Sequence, residues 1–242
     1  MGMLDGLDVT SDVVSDEKDT LGGGYLLESG VYDMLIEMAY FDKSKGGAKC
    51  LNISCKGDND TNFRQTIYFT NKAGKAYYER DGKKHTLPGY NQLNALSLLS
   101  VGKEFKDLDT EEKMVNVYDY DQKKEVPMAK EVAMSLIGGK IKLGITKTIE
   151  NKNTLQGNAY KPTNDKRTFN EINKVFRQSD GLTVTEIKAS VSTPEFLPKW
   201  EDEWDGKDND KFKEIAGAPA AQGSTGAPTP TASSLFTGEE AK

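Results

Sequence analysis

At 242 residues and 26.7 kDa the chain has room for one domain or two small ones. Hydrophobic residues make up 36% and charged residues 29%, with a mean hydropathy of −0.64. That excludes full disorder but requires the core to be concentrated in part of the chain. No apolar run reaches the roughly 18 residues of a membrane-spanning helix, and the opening MGMLDGLDVTSDVV lacks the basic region and apolar stretch of a secretory signal. Two cysteines, Cys50 and Cys55, cannot staple a fold of this size, which predicts a reducing, intracellular setting.

Residues 1–24 carry six acids against one lysine and end in Gly22-Gly23-Gly24, and they read as an acidic flexible arm. From Val31 to Phe41 the sequence alternates, predicting a half-buried strand with Tyr32, Met34, Ile36, Met38 and Tyr40 on one face. After the turn Lys45-Gly46-Gly47, residues 48–56 form a second strand that groups Leu51, Ile53 and Cys55. The turn Asp58-Asn59-Asp60 leads to a third, Gln65 to Asn71, with Ile67 and Phe69 inward and Tyr68 outward. The expected arrangement is an antiparallel meander. Tyr77-Tyr78 and the polar turn 81–84 follow, and then 90–101 fits a helix with Leu93, Leu96 and Leu99 at threefold spacing. Residues 113–120 alternate again.

The clearest strand is 139–150, with Ile141, Leu143, Ile145 and Ile149 on one face and Lys140, Lys142, Thr146 and Thr148 on the other. A loop from Asn151 to Pro162, a short helix near 168–177 and a last strand, Leu182 to Lys188, complete the expected body. Several short strands around one or two short helices point to an all-β fold, an OB-fold-like antiparallel barrel over 25–196. Residues 197–242, with Trp200 and Trp204 in an acidic run and Ala, Gly, Pro, Ser and Thr dominating 216–234, read as a flexible acidic tail.

The charge is unevenly spread. The net −6 divides into −5 for residues 1–24, −4 for 197–242 and +3 for the body between them. Within the body, 138–178 holds nine basic residues against Glu150, Asp165 and Glu171. Catalytic and metal chemistry find little footing. Cys50, Cys55 and the lone His85 are too few for a zinc site, and one histidine in a lysine-rich turn supports no nucleophilic triad. Gly138-Gly139-Lys140 lacks the spacing of a phosphate loop. The calcium-loop start at Asp58, Asp60 and Asn62 meets Phe63 and Phe69 where Gly and Glu are needed. Nothing in the sequence calls for an enzyme, a cofactor or a metal.

Single-stranded nucleic acid is held by cations that track phosphates and by aromatic faces on which bases stack. Tyr68 and Tyr77 are candidate stacking rings; Lys140, Lys142, Lys147, Lys161, Lys166 and Arg167 are candidate phosphate contacts, with Tyr160 among them. The run Glu28-Ser29-Gly30-Val31-Tyr32-Asp33, the turn from Lys43 to Ala48, the segment Gly138 to Lys152 and Thr168-Phe169-Asn170 together resemble the single-stranded-DNA-binding proteins of tailed bacteriophages, over roughly 25–190. That resemblance implies an OB-fold barrel that binds single-stranded DNA without sequence choice in replication, recombination or repair. It also implies the cytoplasm of a bacterial host, and an acidic tail that recruits a polymerase, helicase or primase. Leu235 and Phe236 are the apolar pair in the tail that would dock such a partner. The chain ends Glu-Glu-Ala-Lys, where many such tails finish in acids or an acid-flanked aromatic. The competing expectations are a viral structural or assembly protein with a β-barrel core, and a small hydrolase.

Overall fold

The computed structural model describes residues 26–58, 61–119, 122–156 and 159–216. The expected arm 1–24 and most of the expected tail, Leu235 and Phe236 included, lie outside them. The protein is mostly antiparallel β-sheet with three α-helices among the described residues. Strands β1 (Gly30–Lys43), β2 (Lys49–Gly57) and β3 (Asn62–Tyr68) form the expected meander. A separate hairpin, β4 (Tyr77–Arg80) and β5 (Lys83–Thr86), leads into helix α1 (Pro88–Val101), which starts on a proline and stops at Gly102 in the left-handed region. A second hairpin, β6 (Thr110–Asp119) and β7 (Lys124–Ala133), joins the sheet through a single bridge, Tyr40 to Val132. Strand β8 (Lys140–Gln156) returns antiparallel to β1, and β9 (Ala159–Phe176) pairs along nearly its whole length. Helices α2 (Val184–Lys188) and α3 (Phe196–Trp204) and a short strand β10 (Asn209–Asp210), parallel to β8, follow.

The core lies between one face of the sheet and α1. Leu93, Leu96 and Leu99 of the helix are buried with Ile36, Leu51, Ile53, Ile67, Ile141, Leu143 and Ile145. Phe105 extends it as the hub of a ring cluster, 6.0 Å from Phe41, 5.1 Å from Phe69 and 5.9 Å from Tyr90. The sheet does not close. Between β3 and β9 the connection is made by two side chains on one residue: the Ile172 N–H donates to Gln65 Oε1 at 2.9 Å, and Gln92 Nε2 donates to the Ile172 carbonyl at 2.6 Å. Ile172 is open to them because Asn173 is an extra residue in the β8–β9 ladder, which steps from Gly144–Lys174 to Ile145–Ile172.

Several expectations are corrected. The register of β1 against β2 shifts between Ile36 and Met38, so Glu37 bulges and the faces exchange. Met34 and Ile36 point into the core, but beyond the bulge Ala39 and Phe41 do, and Met38 and Tyr40 face the other way. In place of the loop expected from Asn151 to Pro162, residues 151–156 and 159–162 are strand, and the helix expected near 168–177 is strand through Phe176, so β8 and β9 pair as one long hairpin. The strand expected at 182–188 is helix α2. Cys50, on the opposite strand parity from Leu51, Ile53 and Cys55, is nevertheless buried like Cys55. Desolvation together with the Glu37 charge pushes the Cys55 thiol up to about 12. The expected boundary at 196 does not separate body from tail: α3 and β10 lie beyond it and pack on the sheet.

That packing depends on Gly144. Trp200, 3% exposed, lies against it, and a Cβ at that position would stand 2.9 Å from Cζ2 of the indole and 3.2 Å from Phe176. Trp200 Nε1 donates to Asn173 Oδ1 at 2.7 Å, and its ring meets Phe176 edge-on at 6.2 Å. Glu186 ties α3 to α2. Its Oε2 accepts from the Thr183 N–H and hydroxyl, completing a capping box, while its Oε1 accepts the N–H groups of Glu195 and Phe196 at 2.8 Å.

Two outcomes follow. Trp200→Ala should cost about 3–5 kcal/mol of stability, and Gly144→Ala should lower the melting temperature as well; unchanged transitions in both would mean that α3 does not brace the sheet. For Glu186, burial opposes ionisation, but the donated N–H groups of Thr183, Glu195 and Phe196 and the Thr183 hydroxyl outweigh it and hold the carboxyl at about 2 against an ordinary 4.5. Its contribution is therefore fully present above about 4.5 and is lost as pH falls through about 2. Thermal melts across that window should show Glu186→Gln less stable than the wild type at pH 6 and converging on it at pH 2.

Candidate nucleic-acid interface

The bulge at Glu37 creates the surface on which a site can be built. On the face of β1, β2 and β3 turned away from α1 the register sets three cross-strand rows: Met38–Ser54–Arg64, Tyr40–Asn52–Thr66 and Asp42–Cys50–Tyr68. The β6–β7 hairpin stands beside these rows and walls a groove of about 570 Å³ with Met114, Asn116, Tyr118 and Glu125. Across it Arg64 Nη1 approaches Glu125 Oε1 at 3.9 Å, an exposed pair of little energy. The Thr66 hydroxyl donates to Asn52 Oδ1 at 2.6 Å and orients that carboxamide on the groove floor.

Tyr68 ends the third row with half its surface exposed. Its backbone is fixed by the start of α1, where any side chain at Gly89 would overlap the Tyr68 carbonyl oxygen. Farther along β1 and β7 a second hollow of about 480 Å³ is lined by Phe41, Phe69, Lys43, Lys49 and the Lys130–Asp42 ion pair at 2.8 Å. Within the rows, burial and the nearby Asp42 charge push the Cys50 thiol up. Among the described residues no cluster of three His, Cys, Asp or Glu side chains could hold a metal.

The residues singled out from the sequence are dispersed around this groove. Tyr68 belongs to its face. Tyr77 lies on the β4–β5 hairpin with its ring covered by Lys84 and Lys75, at 5.0 and 5.7 Å. Lys140 is exposed at the start of β8. Lys142 and Lys147 have partners that the strand pattern did not reveal: Lys142 donates to both oxygens of Asp33 at 2.8 Å, and Lys147 meets Glu28 at 3.0 Å and Asp208 at 3.5 Å. On the polar face of β8 Lys142 is thus held in an internal ion pair, and Thr146 and Thr148 on that face are fully buried under the C-terminal segment. Tyr160, Lys161, Lys166 and Arg167 are brought together on the β8–β9 hairpin, where Lys166 stands over Phe212 at 4.9 Å and Arg167 over Phe169 at 4.6 Å.

Met38, Tyr40, Asn52, Ser54, Arg64 and Tyr118 were not anticipated as site residues. Arg64, Thr66 and Tyr68 share one parity within a strand, a signal open to the sequence; Tyr40 required knowledge of the bulge. No helix among the described residues is long and apolar enough to cross a membrane. Compared with protein-family models and with curated proteins, the chain matches none.

Proposed function

We propose that this protein binds single-stranded DNA, largely without sequence preference, and that its sheet is an OB-type barrel left open between β3 and β9. The observation that carries the reading is the Arg64–Thr66–Tyr68 strip of β3, in register with Ser54, Asn52 and Cys50 of β2, beside a groove walled by the β6–β7 hairpin. OB barrels bind oligonucleotides on the face of their second and third strands and on the loops between strands one and two and strands four and five. Here a three-strand meander, a helix and a two-stranded return with β8 against β1 supply the corresponding elements. The loop at 44–48 lies between Lys43 and Lys49, and the β8–β9 hairpin lies within 138–178, where nine basic residues stand against three acids.

The assignment of roles follows from the chemistry. Tyr68, Tyr40 and Tyr118 offer faces for unpaired bases, each stacked base contributing roughly 1–3 kcal/mol. Asn52, Ser54 and Thr66 offer hydrogen bonds that any base edge can use. Arg64, Lys161, Lys166, Arg167 and Lys140 neutralise phosphates, while Lys142 and Lys147 contribute less because carboxylates already balance them. Such a protein would coat single strands stoichiometrically in phage-type replication, recombination or repair. A polymerase, helicase or primase would be recruited through the tail that holds Leu235 and Phe236.

Fluorescence titration with oligo(dT) at two salt concentrations tests the reading. Tyr68→Ala should weaken binding by about 1–3 kcal/mol without changing the thermal transition, and Arg64→Ala should lower the salt slope of log affinity by about 0.7. Equal affinity for duplex and single strand, or affinity indifferent to salt, would refute it and favour a structural role in a virus particle.

A further inference from the structure

The β8–β9 hairpin outgrows the sheet that carries it. β1 accompanies β8 only as far as Ile145, and β10 only as far as Ile149, so residues 150–156 and 159–167 have only each other in the ladder. An isolated two-stranded ribbon is marginal in water, and the C-terminal segment braces this one. Asn151 uses its carboxamide as a peptide group would: Oδ1 accepts the Lys213 N–H at 3.0 Å and Nδ2 donates to the Lys213 carbonyl at 2.8 Å. Asn164 does the same with Ile215, at 2.9 and 3.1 Å. Thr163, buried between them, donates to the Lys152 carbonyl at 2.9 Å. The ribbon is therefore held firm up to the Asn151–Asn164 level and projects beyond it.

On the projecting part, Leu155 and Tyr160 are directly opposed in register, so both stand on one face, and they are 61% and 74% exposed. They are the largest apolar groups there, with Lys152 and Lys161 on the same projecting part, Lys166 and Arg167 at its base, and Glu150 and Asp165 the only acids between 150 and 167. A second copy of the same arm would meet those cations with like charge; a nucleic-acid backbone complements them. A long cationic arm ending in an exposed aliphatic–aromatic pair has the chemistry of side chains that insert between base steps and unstack them.

We infer that Leu155 and Tyr160 form a wedge for the junction where duplex DNA opens into single strand. Tyr160 takes the place of a stacking partner against the last base pair, Leu155 backs it, and Lys152 and Lys161 hold the diverging phosphates. This rests on the single-strand reading above, for the released strand must pass to a surface that keeps it unpaired.

The test uses the full chain, a forked duplex with a fluorophore and quencher at the junction, and labelled oligo(dT). The double variant Leu155→Ala/Tyr160→Ala should open the fork about tenfold less well at equal protein concentration, the equivalent of one lost stacking contact, and should lose clearly less in oligo(dT) affinity than in fork opening. Tyr160→Phe should retain fork opening. Four results would overturn the inference: equal loss of oligo(dT) and fork activity, which would place the pair in the single-strand groove; unchanged fork opening; a shift in sedimentation coefficient on mutation, which would assign the pair to a second copy of the chain; or failure of Tyr160→Phe to rescue. Absence of oligo(dT) binding by the wild type would instead refute the functional reading itself.

Discussion

Trp200 resting on Gly144 is the contact on which the architecture depends. It covers the second face of β8, so that strand carries buried residues in both directions, with Ile141, Leu143 and Ile145 toward the core and Thr146 and Thr148 beneath the C-terminal segment. Once α3 is seated there, Gly206 can donate to the Ser29 carbonyl at 2.9 Å and residues 209–215 can run beside β8. Asn170 holds the other end of the body in the same manner, exchanging two hydrogen bonds of 2.7 and 2.8 Å with the backbone of Leu27. Both ends of the described chain are thus fastened to the β8–β9 hairpin by carboxamides that imitate a strand.

Two bulges then decide what the surface can do. The one at Glu37 carries Met38 and Tyr40 out of the core series and into the groove; the one at Asn173 frees the backbone of Ile172 for Gln65 and Gln92 and places a carboxamide under Trp200. Each is a single additional residue with a long-range effect, because a strand's side-chain period is two. The electrostatic pattern has the same economy. Carboxylates of residues 28, 33 and 208 neutralise the lysines nearest the body, and the arm beyond them keeps most of its positive charge.

Much of this was legible in the sequence. The alternation of 31–41, 48–56 and 65–69 gave the meander, the leucines of 90–101 gave α1, and Tyr68 was placed outward for the right reason. Elsewhere local patterns misled. Ile172 and Val175 share a face at helical spacing only because the Asn173 bulge interrupts the strand's alternation between them. At 182–188 the β-branched residues suggested a strand, while the capping pair Thr183 and Glu186, present in the same seven residues, was the signal that governed. The partners of Lys142 and Lys147 come from segments more than 50 residues away in sequence, and no local period reports them. Trp200 and Trp204 sit in an acidic run whose composition resembles a tail, and only the gap above Gly144 gives Trp200 a place to pack.

The most direct measurement is photocrosslinking of the full chain to an oligo(dT) strand carrying 5-iodouracil, followed by mass spectrometry of the attached peptides. Crosslinks should fall on aromatic residues of the groove and its face, at Tyr68 and at Tyr40 or Tyr118, and should disappear when excess unlabelled single strand, but not duplex, is added. Crosslinks confined to the β4–β5 hairpin, or a yield that duplex competes away equally, would contradict a single-strand groove on β1, β2 and β3.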